Sequence, residues 1–593
     1  MAKRSYSKEI EALPKTVKWA FKEPILASFE NLISDLSSYP LLVVGSGGSL
    51  SCAHFVAQLH EQKTGFISRA LTPLEMTFSG INPLRHSVLF LTSTGNNKDI
   101  LSAFDMAIKR EFPAIAIICA TTNSRIVKIA KKYPYVQIAE FRNPAGRDGF
   151  LAVNSLLSTC ILSARAYNAI DLSEDELELL IKNDPDLDTF EWHKVLDRKT
   201  MIAVSGEWGL PALIDLESNL KSLASKTMIY LPDKYPSAVL HTNLTGPLGG
   251  IDLLKQVFQL VGKVGKLVDI DPGMPKVPEF GRKIYSIGLT PVLPKRKTTN
   301  KVAWLQRKSR VSGESVAVLE KHLDKFFTAL KHNNFFGVVF DYDGTLCDPP
   351  DRFTQPKTEI ALHLNEILSK EIPVGIAAGR GASIQKSLRA VIGREHWDKI
   401  IIGNYNGSYV LPLSKDISIT SNNSSDSITV VSEVLKKDVM LRESTNIEVR
   451  PKQITVTPKP RLNLSIVLEK VFESLSSVKN VKILRSDHSV DIIDSNTSKL
   501  NVVKEMQKIL PQKKSNILII GDQGQYGGND FEMLKEPFSL SVNKISSSPT
   551  TCWNLSPAGI QGADAMISIF KSMVIKEKAF KLNIDFLEHE VGG

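Results

Sequence analysis

The segment Phe336-Gly-Val-Val-Phe-Asp341-Tyr-Asp343-Gly344-Thr345 constrains this chain most. An apolar run rich in Val and Phe reads as a buried strand, and it stops at two carboxylates followed by a glycine whose missing Cβ suits a turn. The acids are therefore expected at a strand's carboxyl end, where open α/β sheets bind their ligands. A carboxylate held near a metal ion can attack phosphorus. A second, two residues on, can protonate the leaving oxygen and later take a proton from water.

Three further elements follow in order. Pro373-Val-Gly-Ile-Ala-Ala378-Gly379-Arg380-Gly381 is a short apolar strand ending in small residues, suited to bringing backbone N–H groups and a side chain to a phosphate. Lys499 precedes a helical stretch with Leu500, Val503, Met506 and Ile509, and its ammonium can neutralise developing negative charge. Ile517-Leu-Ile-Ile-Gly-Asp522 is a third strand ending in an acid, with Asp530 shortly beyond. Mg²⁺ favours hard oxygen ligands and takes one or two protein carboxylates along with phosphate oxygen and water. Asp341 and Asp522 can supply them.

These four motifs resemble the haloacid dehalogenase superfamily of phosphohydrolases, over about Asn333 to the end of the chain. The resemblance implies that Asp341 is the nucleophile, Asp343 the general acid/base and Lys499 the phosphate-stabilising lysine. It places Thr345, Gly379 and Arg380 at the phosphate, and Asp341, Asp343, Asp522 and Asp530 at a Mg²⁺ ion. The insertion from about Ser408 to Val490, with strands such as Ile454-Thr-Val-Thr, resembles the α/β cap of the Cof-like and sucrose-phosphatase-like branch. Two departures stand out. Ala378 replaces the hydroxyl residue usual before Gly-Arg, leaving Thr345 or Ser383 to substitute. Gln523-Gly-Gln-Tyr lengthens the last motif.

At 593 residues the chain exceeds one ordinary core, and length alone suggests about three to five domains. Hydrophobic content of 42% and charged content of 23% are those of a globular protein. No run approaches a membrane span, Met1-Ala-Lys-Arg-Ser lacks the apolar segment of a signal peptide, and the five cysteines lack metal or disulfide spacing. A cytoplasmic location is expected. The net charge of +10 is diffuse and suits small anions. The dense basic stretch Pro294-Lys-Arg-Lys with Arg307-Lys-Ser-Arg reads as a solvated linker within Thr290–Gly313, since no interleaved aromatics suggest nucleic-acid stacking.

In the amino-terminal half, a helix over Phe21–Leu36 leads into Leu41-Leu-Val-Val-Gly-Ser-Gly-Gly-Ser49, a buried strand opening through glycines into a helix. Exposed N–H groups there attract anions. Thr92-Ser93-Thr94-Gly95-Asn96-Asn97 is a second such loop, and a third strand, Ala114 to Ala120, completes a β/α alternation. A helix cap is the bland alternative for any one of these turns. Together the loops resemble the sugar isomerase (SIS) domain, which implies phosphosugar binding by Ser49, Thr92, Ser93, Thr94 and Asn97. Asp148-Gly-Phe-Leu-Ala-Val-Asn-Ser resembles that family's segment after the third strand. A second copy begins near Lys199-Thr-Met-Ile-Ala-Val-Ser-Gly and closes near Asp269–Lys283, an order similar to the isomerase half of glucosamine-6-phosphate synthase. Ala224 stands where an isomerase keeps its proton-transferring glutamate and Arg147 where the first copy commonly has another. The half therefore reads as a binding or sensing module, although His241 could still open a sugar ring.

The expected fold class is α/β: two doubly wound SIS-like parallel-sheet subdomains (residues 1–195 and 196–290), a basic linker and connecting helix (291–332), and a Rossmann-like core (333–407 and 491–593) with an inserted α+β cap (408–490). The expected activity is Mg²⁺-dependent hydrolysis of a sugar phosphate or related small phosphomonoester. The alternatives are a ligand-sensing regulator with a phosphatase output and a bifunctional isomerase/phosphatase. The expected partner is a phosphorylated sugar or similar phosphoester, with no membrane or nucleic acid, and the SIS module leaves room for a homo-oligomer.

Overall fold

The computed structural model describes residues 5–589, except 26, 172, 189–191, 193–202, 205, 224–238, 276–299, 352–353, 418–424, 460–461, 487–488 and 511–515. The chain divides into two units, Met1–Pro294 and Lys295–Gly593.

In the first unit, β1 (Leu41–Gly45), β2 (Arg69–Leu71), β3 (Ser87–Thr92), β4 (Ile115–Cys119) and β5 (Val136–Glu140) form one parallel sheet in the order β2-β1-β3-β4-β5. Alternate residues feed two cores: Leu41, Val43, Leu89 and Leu91 enter one, and Leu42, Val44, Val88 and Phe90 the other. Burial on both faces is why these strands read as unbroken apolar runs. The chain leaves β1 toward β2 and returns to β3 on the other side. The loops after β1 and β3 thus part at the strands' carboxyl ends, where such sheets hold ligands. They lead into helices α1 (Ser49–Thr64) and α2 (Lys98–Arg110), and α3 (Asn154–Ala166) is buried along nearly its whole length. Farther on lie a parallel strand pair, β6 (Ala203–Val204) and β7 (Val239–Leu240), and helices α4 (Leu210–Leu223) and α5 (Gly246–Leu267). Much of the expected second SIS copy, including Lys199, Ala224, Arg282 and Lys283, lies outside the described residues.

The second unit opens with helices α6 (Asn300–Ser312) and α7 (Val316–His332). Here the structure corrects the solvated-linker expectation. Trp304 and Leu305 of α6 enter the hydrophobic core, and Lys308 is fully buried. The Lys308 ammonium donates to the carbonyls of Ser546, Thr551 and Cys552 at 3.0, 2.8 and 3.1 Å and lies 5.1 Å from the centre of the Trp553 ring. Burial pushes its pKa down to about 8. Arg307 donates to Asn554 O at 2.8 Å. Part of the basic run is thus a set of carbonyl clamps holding the 546–556 loop.

The core sheet of this unit runs β11 (Tyr409–Pro412), β10 (Ile400–Asn404), β9 (Val374–Ala377), β8 (Phe335–Asp341), β16 (Asn516–Gln523) and β17 (Ser539–Lys544), parallel except for β11. A hairpin of β18 (Met573–Lys576) and β19 (Ala579–Leu582) meets β8 at Phe335. Pairing of Phe340 with Ile520 and of Asp341 with Ala377 sets the ends of β8, β9 and β16 side by side. Between β11 and helix α8 (Leu500–Ile509) lies a separate antiparallel sheet, ordered β12 (Thr445–Arg450), β13 (Gln453–Pro458), β15 (Val490–Asp494), β14 (Val481–Arg485). Helices Asp426–Lys437 and Leu464–Ser474 bury their apolar sides in its core. This sheet is the cap expected from the insertion.

Candidate active site and amino-terminal pocket

Asp341 ends β8, fully buried, and strand alternation turns it away from the core that receives Phe340 and Tyr342. It meets Lys499, the residue immediately before α8. Lys499 Nζ donates to Asp341 Oδ1 and, at 2.7 Å, to Asp530 Oδ1. The other oxygen of Asp530 accepts from the backbone N–H groups of Asp522 and Gln523 at 2.9 and 3.0 Å, which fixes its carboxylate against the end of β16. Thr345 Oγ1 lies 3.4 Å from Asp341 Oδ2. Gly344 sits at φ 84°, and a Cβ there would stand 2.4 Å from Asp522 Oδ2. Glycine is needed both for the left-handed turn and for the close approach of the two strand ends.

Carboxylate oxygens of Asp341, Asp522 and Asp530 come within 4.8 Å of one another in buried surroundings. Burial, with Asp530 next to it, pushes the Asp341 carboxyl up to about 8. Burial also opposes ionisation of Asp530 and Lys499, but their contact prevails, holding Asp530 below and Lys499 above the ordinary range. Three carboxylates against one ammonium leave this buried cluster short of positive charge, and its donors are all hard oxygens. That donor set fits a divalent cation such as Mg²⁺.

Asp343, also expected at the metal, lies outside this trio. Its two oxygens accept from Arg380 Nε at 2.9 Å and Nη2 at 2.7 Å, a bidentate pair that gives the carboxylate a fixed plane. Arg380, expected at the phosphate, thus holds Asp343, stacking at 5.5 Å from the centre of the Tyr342 ring. Gly379 precedes it, its carbonyl 3.4 Å from Gln453 Nε2 of the cap. Ala378 belongs to the core with Ile376 and Tyr342, and Ser383 is exposed.

In the first unit, a small cleft is lined by Ser49, Cys52, Thr92, Ser93, Ser155 and Thr159, among others. Of the expected sugar-phosphate residues, Ser49, Thr92 and Ser93 line it, whereas Thr94 and Asn97 do not. Asn97 instead caps α2, its Oδ1 accepting from Asp99 N and Ile100 N at 2.8 and 3.2 Å. Thr92 Oγ1 accepts from Gly95 N at 3.0 Å, leaving its proton to donate. Ser93 donates to Ser155 at 2.9 Å, and Ser155 donates to Asp148 Oδ2 at 2.5 Å. Asp148 also accepts from the first amides of α3. Ser155 and Asp148 therefore belong to the pocket's hydrogen-bond network, and their only trace in the sequence is the segment Asp148–Ser155. Behind the cleft, Ser51 donates to the buried Asp215 of α4 at 3.1 Å, and burial pushes that carboxyl up to about 7. His241 is exposed.

A carboxylate quartet with lysine at the ends of parallel strands, beneath an inserted cap, defines an α/β hydrolase of the phosphoryl-transfer kind. Residues 338–449 match the family model of the haloacid dehalogenase-like hydrolases, and the second unit carries a domain of that family. Solved structures similar to parts of the chain include the sucrose-phosphatase of Synechocystis sp. PCC6803 in complex with sucrose and phosphate, at 18% identity over 35% of this chain and 82% of that one, TM-score 0.27. The IMP-nucleotidase of Plasmodium falciparum with bound IMP is 17% identical over 38% of this chain and 67% of that one, TM-score 0.30. The carboxy-terminal domain of glucosamine-fructose-6-phosphate aminotransferase from Francisella tularensis is 14% identical over 46% and 98%, TM-score 0.37. No curated protein matches the chain. No helix among the described residues is long and apolar enough to cross a membrane.

Proposed function

We propose that this protein hydrolyses a phosphorylated sugar or a related small phosphomonoester in a Mg²⁺-dependent reaction, and that its first unit binds a phosphosugar. The observation that carries the reading is the buried cluster of Asp341, Lys499, Asp522 and Asp530 at the carboxyl ends of β8 and β16. Asp341, Asp522 and Asp530 would hold the Mg²⁺ ion, which when bound supplies positive charge to the phosphate and favours the ionised nucleophile.

Asp341 attacks phosphorus in line, forming an aspartyl phosphate as the P–O bond to the leaving group breaks. Lys499 keeps the attacking carboxylate in place and offsets charge that builds on the phosphoryl oxygens. Asp343 enters the step protonated, which releases one of its oxygens from Arg380, and gives that proton to the leaving oxygen. It then takes one from the water that hydrolyses the aspartyl phosphate, restoring both acids. The cap, the sheet β12–β15 with the helices packed on it, chooses the leaving group. The first unit contributes the Ser49 and Thr92 hydroxyls to a phosphosugar's anionic end. Five buried free cysteines fit a reducing cytoplasm.

A phosphate-release screen over sugar phosphates and nucleotides, with and without Mg²⁺, tests this reading. Release from a sugar phosphate that chelation abolishes is the expected result. No release from any phosphomonoester in Mg²⁺ would overturn it.

A further inference from the structure

The cap meets the core at a polar seam beside the phosphate loop, where donors and acceptors can be assigned from the chemistry of the groups. Asp491 of β15 is a buried carboxylate whose Oδ1 accepts from Thr455 Oγ1 at 2.8 Å and Gln453 Nε2 at 3.1 Å, both from β13. Gln453 Nε2 also faces the Gly379 carbonyl. Nitrogen must therefore be the end of Gln453 that points there, and its Oε1 must accept. Asn406 lies with its amide 3.2 Å from that Oε1 and 3.4 Å from Asp491 Oδ2. Two acceptors on one side force Nδ2 toward them and leave Asn406 Oδ1 on the other.

Asn406 is fully buried, and its Oδ1 has no hydrogen-bond partner among the described residues. Leaving a buried acceptor unmade is costly, so such an atom marks a place where something donates. It faces space. A Cβ built on Gly379 would stand 3.7 Å from Asn406 Oδ1, 3.8 Å from Asn406 Nδ2 and 3.9 Å from Asp491 Oδ2, ordinary van der Waals distances. The gap next to the phosphate loop thus accommodates at least one heavy atom, and two of the three atoms nearest it are acceptor oxygens, the third being the Asn406 amide nitrogen already engaged by Gln453 and Asp491.

We propose that this gap is a subsite for a hydrogen-bond-donating hydroxyl on the leaving group, close to the phosphorylated carbon, so that the phosphatase selects polyhydroxylated phosphomonoesters over alkyl ones. The proposal rests on the phosphatase reading given above. An acceptor that loses its donor rejects the analogue strongly, because the Asn406 oxygen is then buried unpaired. Asp491→Asn keeps its oxygen on the Thr455 and Gln453 donors and so puts an amide N–H where Oδ2 met the gap. The wall then repels a donor.

The test uses the full chain in Mg²⁺ and compares kcat/KM for glycerol 3-phosphate with that for n-propyl phosphate, in wild type and in Asp491→Asn. Wild type should favour glycerol 3-phosphate by about 10–100-fold, and Asp491→Asn should lose at least about tenfold of that preference. Comparing the two ratios cancels the intrinsic difference between the leaving alcohols. A wild-type preference below about threefold would overturn the subsite whatever the variant does, and so would an unchanged preference in a variant that melts like wild type. In both cases the phosphatase reading stands, since both esters are still hydrolysed. Absence of release from these and all other phosphomonoesters would remove both.

Discussion

Replacing Lys499 by methionine separates the electrostatic account of the site from a merely structural one. The ammonium is buried between Asp341 and Asp530, with Asp522 close by. Methionine fills similar volume, so the change leaves the carboxylates packed but uncompensated. Removing one partner of a buried ion pair costs about 3–5 kcal/mol. For a unit of about 300 residues each kcal/mol lowers the melting temperature by about 1.6 °C, so the transition of the second unit should fall by about 5–8 °C. Calorimetry on the full chain reads this directly, the relevant transition being the one that Mg²⁺ shifts. The ion should return part of the loss, because a ligand at a hundredfold excess over its Kd adds about 2.7 kcal/mol to the folded state. A variant melting within about 2 °C of wild type without Mg²⁺ would refute the claim that Lys499 compensates buried carboxylates.

Two further outcomes concern the first unit. Ser49→Ala should weaken phosphosugar binding by about 1.5–3 kcal/mol, the cost of a lost hydrogen bond to a charged group. Thr94→Ala, outside the cleft, should leave binding unchanged, and calorimetric titration distinguishes them. His60 and Asp215 should oppose each other in pH. Burial pushes the His60 pKa down to about 4, so its contribution to stability is lost as pH falls through roughly 6.5 to 4. Asp215, pushed up to about 7, gains stability over the same fall. Melting of the first unit should therefore vary little across that window in wild type. In Asp215→Asn it should lose about 3 kcal/mol between pH 6.5 and 4. A flat profile in that variant would contradict the buried neutral imidazole.

The strand ends that carry Asp341 and Asp522, and the glycine turn that leads from β1 to Ser49, were legible because each is a local event, an apolar run stopped by an acid or a glycine. Contacts between distant segments were not. Asn406 meets Gln453 and Asp491 across 47 and 85 residues, and β alternation gives only the face each occupies. Composition misled at α6, where the same lysines and arginines that solvate a linker can bind carbonyls once Trp304 anchors the helix in the core. Asn97 showed that hydroxyl and amide loops serve helix caps as readily as ligands. Arg380 stood out in its motif, but its bidentate hold on Asp343 needed the geometry of two loops brought together.

The most direct measurement is phosphate release from the sugar-phosphate panel in Mg²⁺ by wild type and by Asp341→Asn. An amide is a poor nucleophile and brings one negative charge fewer to the cation site. The account predicts folded protein with release reduced by at least about a thousandfold, the scale of losing the attacking group. Turnover in Asp341→Asn equal to wild type would contradict the assignment of Asp341 as the nucleophile, and with it the proposed phosphatase mechanism.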